Sequence, residues 1–387
     1  MDINSKLSHV GTTIFTIMSQ MAADHNAINL SQGYPDFDVP GPLLDLVEKY
    51  LRDGYNQYPP MTGVPYLREQ IARKVKLLYD VELDANSEVT VTSGATEAIF
   101  VAIQTVVNPG DEVIVFDPAY DSYDPSVVLA GGRTIHLPLR YPGFQIDFER
   151  LRDSINAKTK LIIVNSPHNP CGSILPPEAL DHLAELVRDT DIALVSDEVY
   201  EHMVYDGETH QTLLGHPELR SRSFVVSSFG KTYHATGWKV AYCAAPRKFT
   251  DEFRKVHQFV TFTTHTPTQW ALAEFMETYP EHYFELPAFY QAKRDLFLQE
   301  MSDSDFSMEP SPGTYFQLAD YSNISNMVDT EFVKHLTCHI GVAAIPISVF
   351  YESPPEFSIV RFCFAKDDDT LRTATAKLCN MAPISVK

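Results

Sequence analysis

The order of the residues predicts an α/β protein, built on a mostly parallel sheet that helices cover on both faces. Between residues 90 and 245, short apolar runs alternate with helical segments, which is the pattern of parallel strands joined by crossover helices. Polar residues follow directly after several of these runs, where ligands bind in open sheets of this kind. From about residue 285 the alternation stops, and we expect a smaller α+β domain there.

Composition limits the classes of function that this chain could have. Its 387 residues, 44% of them hydrophobic, suffice for a large core and predict two domains. The net charge of -21 argues against nucleic-acid binding, which needs clustered lysines and arginines. The sequence has no apolar run of about 18 residues and no basic signal segment, so we expect a soluble cytoplasmic protein without membrane contact. Five scattered cysteines without CxxC spacing predict neither disulfides nor a metal site.

The first 40 residues predict an arm and a turn rather than a domain of their own. The turn runs through residues 29–37 and contains Gly33 and Tyr34, whereas Phe15 lies in an apolar segment before it. Taken by themselves, these two aromatic residues are compatible with ordinary packing.

A loop rich in proline and glycine, at 55–63, separates two predicted helices and contains Tyr58. Helical periodicity places the two helices at 43–52 and 66–79. The loop lies far in sequence from the other polar groups described below.

The first two strands of the alternating region are predicted at 88–92 and 112–116. After the first, Ala95 and Thr96 begin a helix, where backbone amides and the partial positive charge favour a phosphate. Because glycine is common at such junctions, this signal does not establish a site by itself. After the second, Tyr120 could stack on a planar cofactor or simply cap the core.

The next two strands, at 160–164 and 192–195, also end in polar groups. A turn with two prolines follows the first and would hold the amide of Asn169 so that it donates to an oxygen. Asp197 and Tyr200 follow the second. A carboxylate beside a ring nitrogen keeps that nitrogen protonated, which lets the ring accept electrons, and a phenol can donate to a phenolic oxygen.

The strand at 223–226 leads to Ser228 and to a tight turn with Lys231 at its tip. Taken alone, this lysine would be an ordinary solvated surface residue. Burial among cations would lower its pKa and let the neutral amine attack an aldehyde. Pyridoxal phosphate requires such an amine, an acid for its ring nitrogen, donors for its phenolic oxygen, an anion site and a stacking partner. Each of these groups follows a predicted strand.

In the carboxyl-terminal region we predict a helix at 290–301 and a strand at 357–364 that contains Arg361. Arg361 lies in an alternating apolar pattern, so its side chain needs an anionic partner if it is buried. That partner could be a structural carboxylate or a ligand, and the residues alone leave both possibilities open.

Together these motifs resemble the class I/II aminotransferases of pyridoxal-phosphate fold type I, over essentially the whole chain. The resemblance rests on an ordered set of motifs at 169–172, 197–200, 228–232 and 236–239, followed by Arg361. Residues 29–37 and 56–58 further resemble the branch that contains bacterial methionine aminotransferases and kynurenine aminotransferases.

The resemblance implies a domain organisation and an assembly. A large cofactor-binding domain with a seven-stranded sheet would span 41–285, and a small domain would span 286–387. The arm, residues 1–40, would contribute to the small domain. The enzymes of this branch are homodimers, so we expect active sites shared between two subunits.

The resemblance also implies roles toward pyridoxal 5′-phosphate. Lys231 would carry the cofactor and move a proton, Asp197 would pair with the ring nitrogen, and Tyr120 would stack on the ring. Asn169 and Tyr200 would contact the phenolic oxygen. The phosphate would be bound by Ala95, Thr96, Ser228, Lys239 and, from the other subunit, Tyr58. Many relatives have arginine at the position of Lys239, and a lysine binds phosphate as a point charge rather than a fork.

For the substrate, the resemblance implies that Arg361 clamps the α-carboxylate with help from Asn169 and the Gly33 backbone, while Phe15 and Tyr34 line the pocket. The implied reaction is a ping-pong transamination between an amino acid and a 2-oxo acid. No arginine lies between residues 254 and 294 to bind a distal carboxylate. We therefore expect methionine, aromatic amino acids or kynurenine as donors rather than aspartate.

Two alternatives remain open. A cysteine-S-conjugate β-lyase would use the same groups but would expel a leaving group, producing pyruvate and ammonia. A non-enzymic effector-binding domain of the same fold would come with an attached DNA-binding segment, for which we expect no room before residue 29.

Overall fold

The computed structural model describes residues 3–8 and 10–382, and within them the strands form three sheets. The strands, in chain order, are β1 (Ile28–Asn29), β2 (Val89–Thr92), β3 (Glu112–Asp117), β4 (Arg133–Pro138), β5 (Thr159–Asn165), β6 (Ala193–Asp197), β7 (Ser223–Ser228), β8 (Ala241–Ala244), β9 (Phe316–Asp320), β10 (Val342–Ala343), β11 (Ile345–Pro346) and β12 (Ile359–Cys363).

The central sheet has seven strands in the order β2-β8-β7-β6-β5-β3-β4. Strand β8 runs antiparallel to both of its neighbours, and the remaining pairs are parallel. The prediction of a mostly parallel, seven-stranded α/β architecture is therefore confirmed.

Helices cover both faces of this sheet and surround the smaller sheets. In chain order they are α1 (Ile14–Asp24), α2 (Gly41–Arg52), α3 (Pro65–Tyr79), α4 (Ala95–Val106), α5 (Tyr123–Leu129), α6 (Phe148–Ser154), α7 (Pro177–Val187), α8 (Pro217–Arg220), α9 (Phe229–Thr232), α10 (Arg247–Val260), α11 (Thr266–Thr278), α12 (Glu281–Glu300), α13 (Asp329–His335) and α14 (Asp368–Cys379). None of the helices in the described part of the chain is long and apolar enough to cross a membrane.

Side chains of the middle strands alternate between two apolar cores, one on each face of the sheet. On β5, Ile162 and Val164 point into one core, whereas Leu161 and Ile163 point into the other. Both faces of a parallel sheet are buried in this arrangement, so the strands read as continuous apolar runs. Polar side chains are left to the strand ends, which is where the site lies.

The arm packs with the carboxyl-terminal region. Strand β1 pairs in parallel with β10, and Met18 and Leu30 share a core with residues of β9, β12 and α14. Strand β12 lies antiparallel between β11 and β9. The predicted domain boundaries, 40/41 and 285/286, stay a prediction.

Some elements differ from the sequence-based expectation. The helix predicted at 290–301 begins at Glu281, because Tyr283 and Leu286 extend its buried face past Pro287, which the helix accommodates. Strand β4 had not been predicted, since it is a half-exposed edge strand without a continuous apolar run.

Candidate active site

A cavity with an empty volume of about 730 Å³ opens at the carboxyl ends of the parallel strands. The value includes the mouth that opens to solvent. Nine of the predicted cofactor-binding residues line it, namely Ala95, Thr96, Tyr120, Asn169, Asp197, Tyr200, Ser228, Lys231 and Lys239. The structure therefore brings together groups that follow five different strands, together with Lys239, which precedes strand β8.

One end of the cavity combines a helix start with a lysine. Gly94 precedes α4 with φ of 84°, and no side chain caps the helix there. A Cβ at Gly94 would lie only 3.0 Å from Cε and 3.1 Å from Nζ of Lys239, so the ammonium lies directly over the glycine. Backbone amides, the positive end of the helix dipole and a cation thus converge, which fits a phosphate group.

The amine of Lys231 is partly buried and is held by two oxygens. Its Nζ donates to the Gly33 carbonyl at 3.0 Å and to Tyr315 Oη at 2.7 Å. Burial lowers the pKa of Lys231 to about 8, and the positive charges of Arg361 and Lys239 act in the same direction. A substantial fraction of the amine is therefore neutral and nucleophilic near pH 8.

Asp197 lies at the end of β6 with its carboxylate held by two donors. Tyr123 Oη donates to Oδ2 at 2.6 Å, and the Val199 amide donates to Oδ1 at 3.4 Å. Burial raises the pKa of Asp197 to about 6, whereas the hydrogen bond from Tyr123 and the charge of Lys231 oppose this rise. A further cation beside Asp197, such as a protonated ring nitrogen, would lower this pKa and stabilise the ionised carboxylate.

Asn169 is fixed by contacts on two sides. Its backbone amide donates to Asn165 Oδ1 at 2.8 Å, and its side-chain oxygen accepts from Arg361 Nη1 at 2.7 Å. Because a guanidinium can only donate, the contact identifies which atom of the Asn169 amide is the oxygen. The NH₂ group is then left to donate to a ligand in the cavity.

Arg361 is a buried cation whose contacts are all to neutral groups in the described part of the chain. It donates to Asn169 and to the Ser31 carbonyl at 2.8 Å, and its Nε has no hydrogen-bond partner. The guanidinium lies 3.8 Å from the ring centroid of Phe316 and 5.5 Å from that of Phe15. An unpaired buried guanidinium of this kind favours a ligand carboxylate over a structural ion pair.

The remaining predicted residues lie at different distances from the cavity. Phe15 is adjacent, with its ring 6.4 Å from that of Tyr120. Tyr34 is half-exposed beneath Lys366, whose Nζ lies 4.7 Å from the ring centroid. Tyr58 is 85% exposed and is absent from the cavity lining within this single chain. The roles assigned to these residues stay predictions.

Sequence reasoning missed three residues that contact the site, Tyr123, Asn165 and Tyr315. Tyr123 follows strand β3 and Asn165 is the last residue of strand β5, so the rule that ligands bind at strand ends could have identified both residues. Tyr315 precedes a strand of the carboxyl-terminal sheet and reaches Lys231 across 84 residues of sequence. No local pattern signals such a contact.

Comparison with known proteins agrees with this geometry. The family described as aminotransferase class I and II matches residues 25–378. Methionine aminotransferase of Escherichia coli strain K12 is 48% identical over 374 residues, covering 97% of each chain. A solved Escherichia coli structure, identified as having a methionine aminotransferase function, superposes with a TM-score of 0.97 at 47% identity, covering 98% of this chain and 100% of its own.

Two further relatives have other names. A probable N-succinyldiaminopimelate aminotransferase of Mycobacterium tuberculosis is 36% identical over 389 residues, covering 98% of each chain. A kynurenine–oxoglutarate transaminase of Dictyostelium discoideum is 33% identical over 418 residues, covering 98% of this chain and 96% of its own.

The lowered pKa of Lys231 can be measured in the apoprotein by competitive acetylation, with peptide mass spectrometry as the readout. Only the neutral amine reacts, so Lys231 should be half-reactive near pH 8 and reach a plateau above it. Exposed lysines, with an ordinary pKa of about 10.4, serve as the internal control. A Lys231 midpoint equal to that of the exposed lysines would contradict the burial argument.

Proposed function

The chain belongs to the class I and II aminotransferases, and from this premise we propose that it transfers the α-amino group of large neutral amino acids to 2-oxo acids. Members of this family use pyridoxal 5′-phosphate, and we propose the same cofactor here. The observation that carries the proposal is the meeting of a lysine of lowered pKa, a buried carboxylate and an unpaired guanidinium at one cavity, namely Lys231, Asp197 and Arg361.

The residues that would hold the cofactor follow from the geometry described above. Its phosphate would lie at the start of α4 under Lys239, close to Ser228. Asp197 would accept a hydrogen bond from the ring nitrogen, and the free NH₂ of Asn169 together with Tyr200 would donate to the phenolic oxygen. When bound, the cofactor supplies an aldehyde that accepts the amine and a ring that takes up electrons from the α-carbon.

Lys231 performs the proton transfer in this proposal. Its neutral Nζ removes the proton from the substrate α-carbon and, as an ammonium, returns a proton to the carbon next to the ring. Arg361 orients the substrate by its α-carboxylate, so that the α-hydrogen faces Lys231. The second half of the reaction runs the same steps in reverse with a 2-oxo acid.

The choice of a large neutral substrate rests on the aromatic surroundings of Arg361. Phe15 packs against Phe350 with ring centroids 5.7 Å apart, and Phe316 lies beneath the guanidinium. A thioether or an aromatic side chain gains from such contacts, whereas a second carboxylate would be buried without a partner. The similarity to methionine aminotransferase points in the same direction.

We also propose a homodimer with shared sites. The loop that carries Tyr58 is tied to its own subunit, because Thr266 donates to the Gln57 carbonyl and a His257 ring nitrogen lies 2.9 Å from the Met61 carbonyl. Nevertheless Tyr58 is 85% exposed, and Phe259, which lies in helix α10, is 86% exposed. A fixed loop with exposed aromatic residues is what a subunit interface would cover. A location in the cytoplasm stays a prediction.

Substrate choice is tested by kcat/KM for a panel of donors with one fixed 2-oxo acid. We expect methionine, phenylalanine and kynurenine to rank above aspartate and N-succinyldiaminopimelate, since the latter two bring a second carboxylate. Pyruvate release from a cysteine S-conjugate, measured in parallel, reports the lyase alternative. Aspartate in first place would overturn the pocket argument, and the absence of transamination with every donor would overturn the proposed function.

Removal of the Tyr123 hydroxyl tests how Asp197 is kept ionised. The Tyr123→Phe variant should lower kcat by roughly ten-fold or more, because a hydrogen bond to a charged group contributes about 1.5–3 kcal/mol. The Ser126→Ala variant is the matched control. It removes a hydroxyl of the same helix, and this hydroxyl donates to the Ser122 carbonyl rather than to Asp197. Equal kcat values for the two variants would show that Tyr123 has no part in tuning Asp197.

Mixed dimers test whether the site is shared. Lys231→Ala and Tyr58→Phe subunits, once exchanged, should form hybrids with one intact site, giving about a quarter of the wild-type activity after random pairing. Mixing Lys231→Ala with Asp197→Asn subunits is the control, because both changes lie in the same subunit's half of the site. Activity that stays at the level of the separate Tyr58→Phe variant, despite proven exchange, would rule out the shared arrangement.

A further inference from the structure

Tyr315 is a buried phenol that touches the amine of Lys231. Its Oη accepts a hydrogen bond from Lys231 Nζ at 2.7 Å and donates one to the Gly33 carbonyl oxygen. The same carbonyl accepts directly from Lys231 at 3.0 Å. Amine, phenol and carbonyl therefore form a closed triangle.

The two oxygens hold the amine of Lys231 in place, and neither of them takes up the proton that the amine has to transfer. Burial raises the pKa of Tyr315 well above its usual value, so the phenol stays neutral, and a carbonyl oxygen does not take up a proton at ordinary pH. The two oxygens contact each other and so lie on the same side of Nζ. In the described part of the chain, both hydrogen bonds that Lys231 Nζ donates go to these two oxygens, and Lys231 lines the cavity.

We propose that Tyr315 is a positioning residue that holds the free amine of Lys231 in place while this amine moves the proton at the substrate α-carbon. The inference rests on the proposed transamination. A lysine side chain has several rotatable bonds and high rotamer entropy, so an unheld amine would sample many positions. Proton transfer needs the base within hydrogen-bond reach of the carbon-bound proton, and holding the amine provides that.

A purely structural role for Tyr315 is the competing explanation. Its ring packs against the rings of Phe316, Tyr200 and Tyr290, with centroids 4.9, 5.1 and 5.7 Å away. The Tyr315→Phe variant retains this ring packing and removes only the oxygen that Lys231 contacts. The two explanations therefore predict different results for the same variant.

Tyr290 offers a matched control within the same aromatic cluster. It is equally buried, and its Oη lies 2.9 Å from His234 Nδ1 rather than near Lys231. The Tyr290→Phe variant removes a buried hydroxyl from this core and leaves the triangle intact. Melting temperatures of both variants, measured beside the wild type, show that each is folded.

The first measurement is steady-state kinetics with methionine and with α-deuterated methionine. Tyr315→Phe should lower kcat by roughly ten- to a hundred-fold, the range that a displaced reacting group produces. Its deuterium isotope effect should rise, because proton transfer becomes slower than the other steps. Tyr290→Phe should match the wild type in both quantities.

The second measurement needs neither cofactor nor turnover. In the apoprotein, competitive acetylation of Lys231 should have a lower midpoint pH in Tyr315→Phe than in the wild type, because an acceptor that stabilises the ammonium has been removed. Asp197, Lys239, Cys363 and Arg361, whose charges act on this amine, are unchanged in the variant, and so is Tyr200, whose ring centroid lies 5.3 Å from Nζ. Tyr290→Phe should keep the wild-type midpoint.

The outcomes separate this inference from the proposed function. An unchanged kcat, or a lowered kcat with unchanged isotope effect and midpoint, would overturn the role of Tyr315 while transamination by the wild type stands. If the wild-type protein showed no transamination, both the proposed function and the role of Tyr315 in it would be overturned. The acetylation measurement would still report the contact between Tyr315 and Lys231. Changes in all three quantities, confined to Tyr315→Phe, would support the inference.

Discussion

Three backbone carbonyl groups of one loop accept hydrogen bonds from three basic side chains, and the geometry of the site depends on these contacts. The carbonyl oxygen of Ser31 accepts from Arg361, that of Gly33 from Lys231, and that of Tyr34 from Lys366. Neutral carbonyl groups satisfy the donors without neutralising the charges. The basic side chains therefore keep the positive charges that attract anionic ligands, whereas carboxylate partners would have neutralised these charges.

The close approach of this loop explains why glycine occupies position 33. A Cβ there would lie 2.9 Å from the ring of Phe316, which itself lies beneath Arg361. Any larger residue would push the loop away from the aromatic ring and displace the carbonyl that Lys231 contacts. Packing in the arm is thus coupled directly to the position of the amine, although the arm and Lys231 are separated by 198 residues.

The sequence allowed the parallel sheet and the groups at its strand ends to be predicted, because both depend on local patterns. Asp197 and Lys231 follow buried apolar runs, and parallel strands place their carboxyl ends at one edge. Tyr315 could not be predicted in this way, since its contact depends on how the carboxyl-terminal sheet packs against the large one. The exposure of Tyr58 likewise depends on how the chain folds around its loop, which local patterns do not encode. Local sequence patterns carry no information about the distances between segments that are remote in sequence.

The site carries positive charges although the net charge of the chain is negative, and these positive charges affect the pKa of Lys231. The net charge of the chain is -21, but exposed charges are screened over about 8 Å in physiological salt, whereas Arg361 and Lys239 act on Lys231 at close range. In the absence of anions, Arg361 and Lys239 lower the pKa of Lys231 and favour its neutral, nucleophilic form. A phosphate beside Lys239 and a carboxylate on Arg361 would offset these charges and raise the pKa of Lys231 again. The amine of Lys231 is thus a weaker base when both anions are absent, and a stronger base, better suited to accept a proton, once both anions are bound.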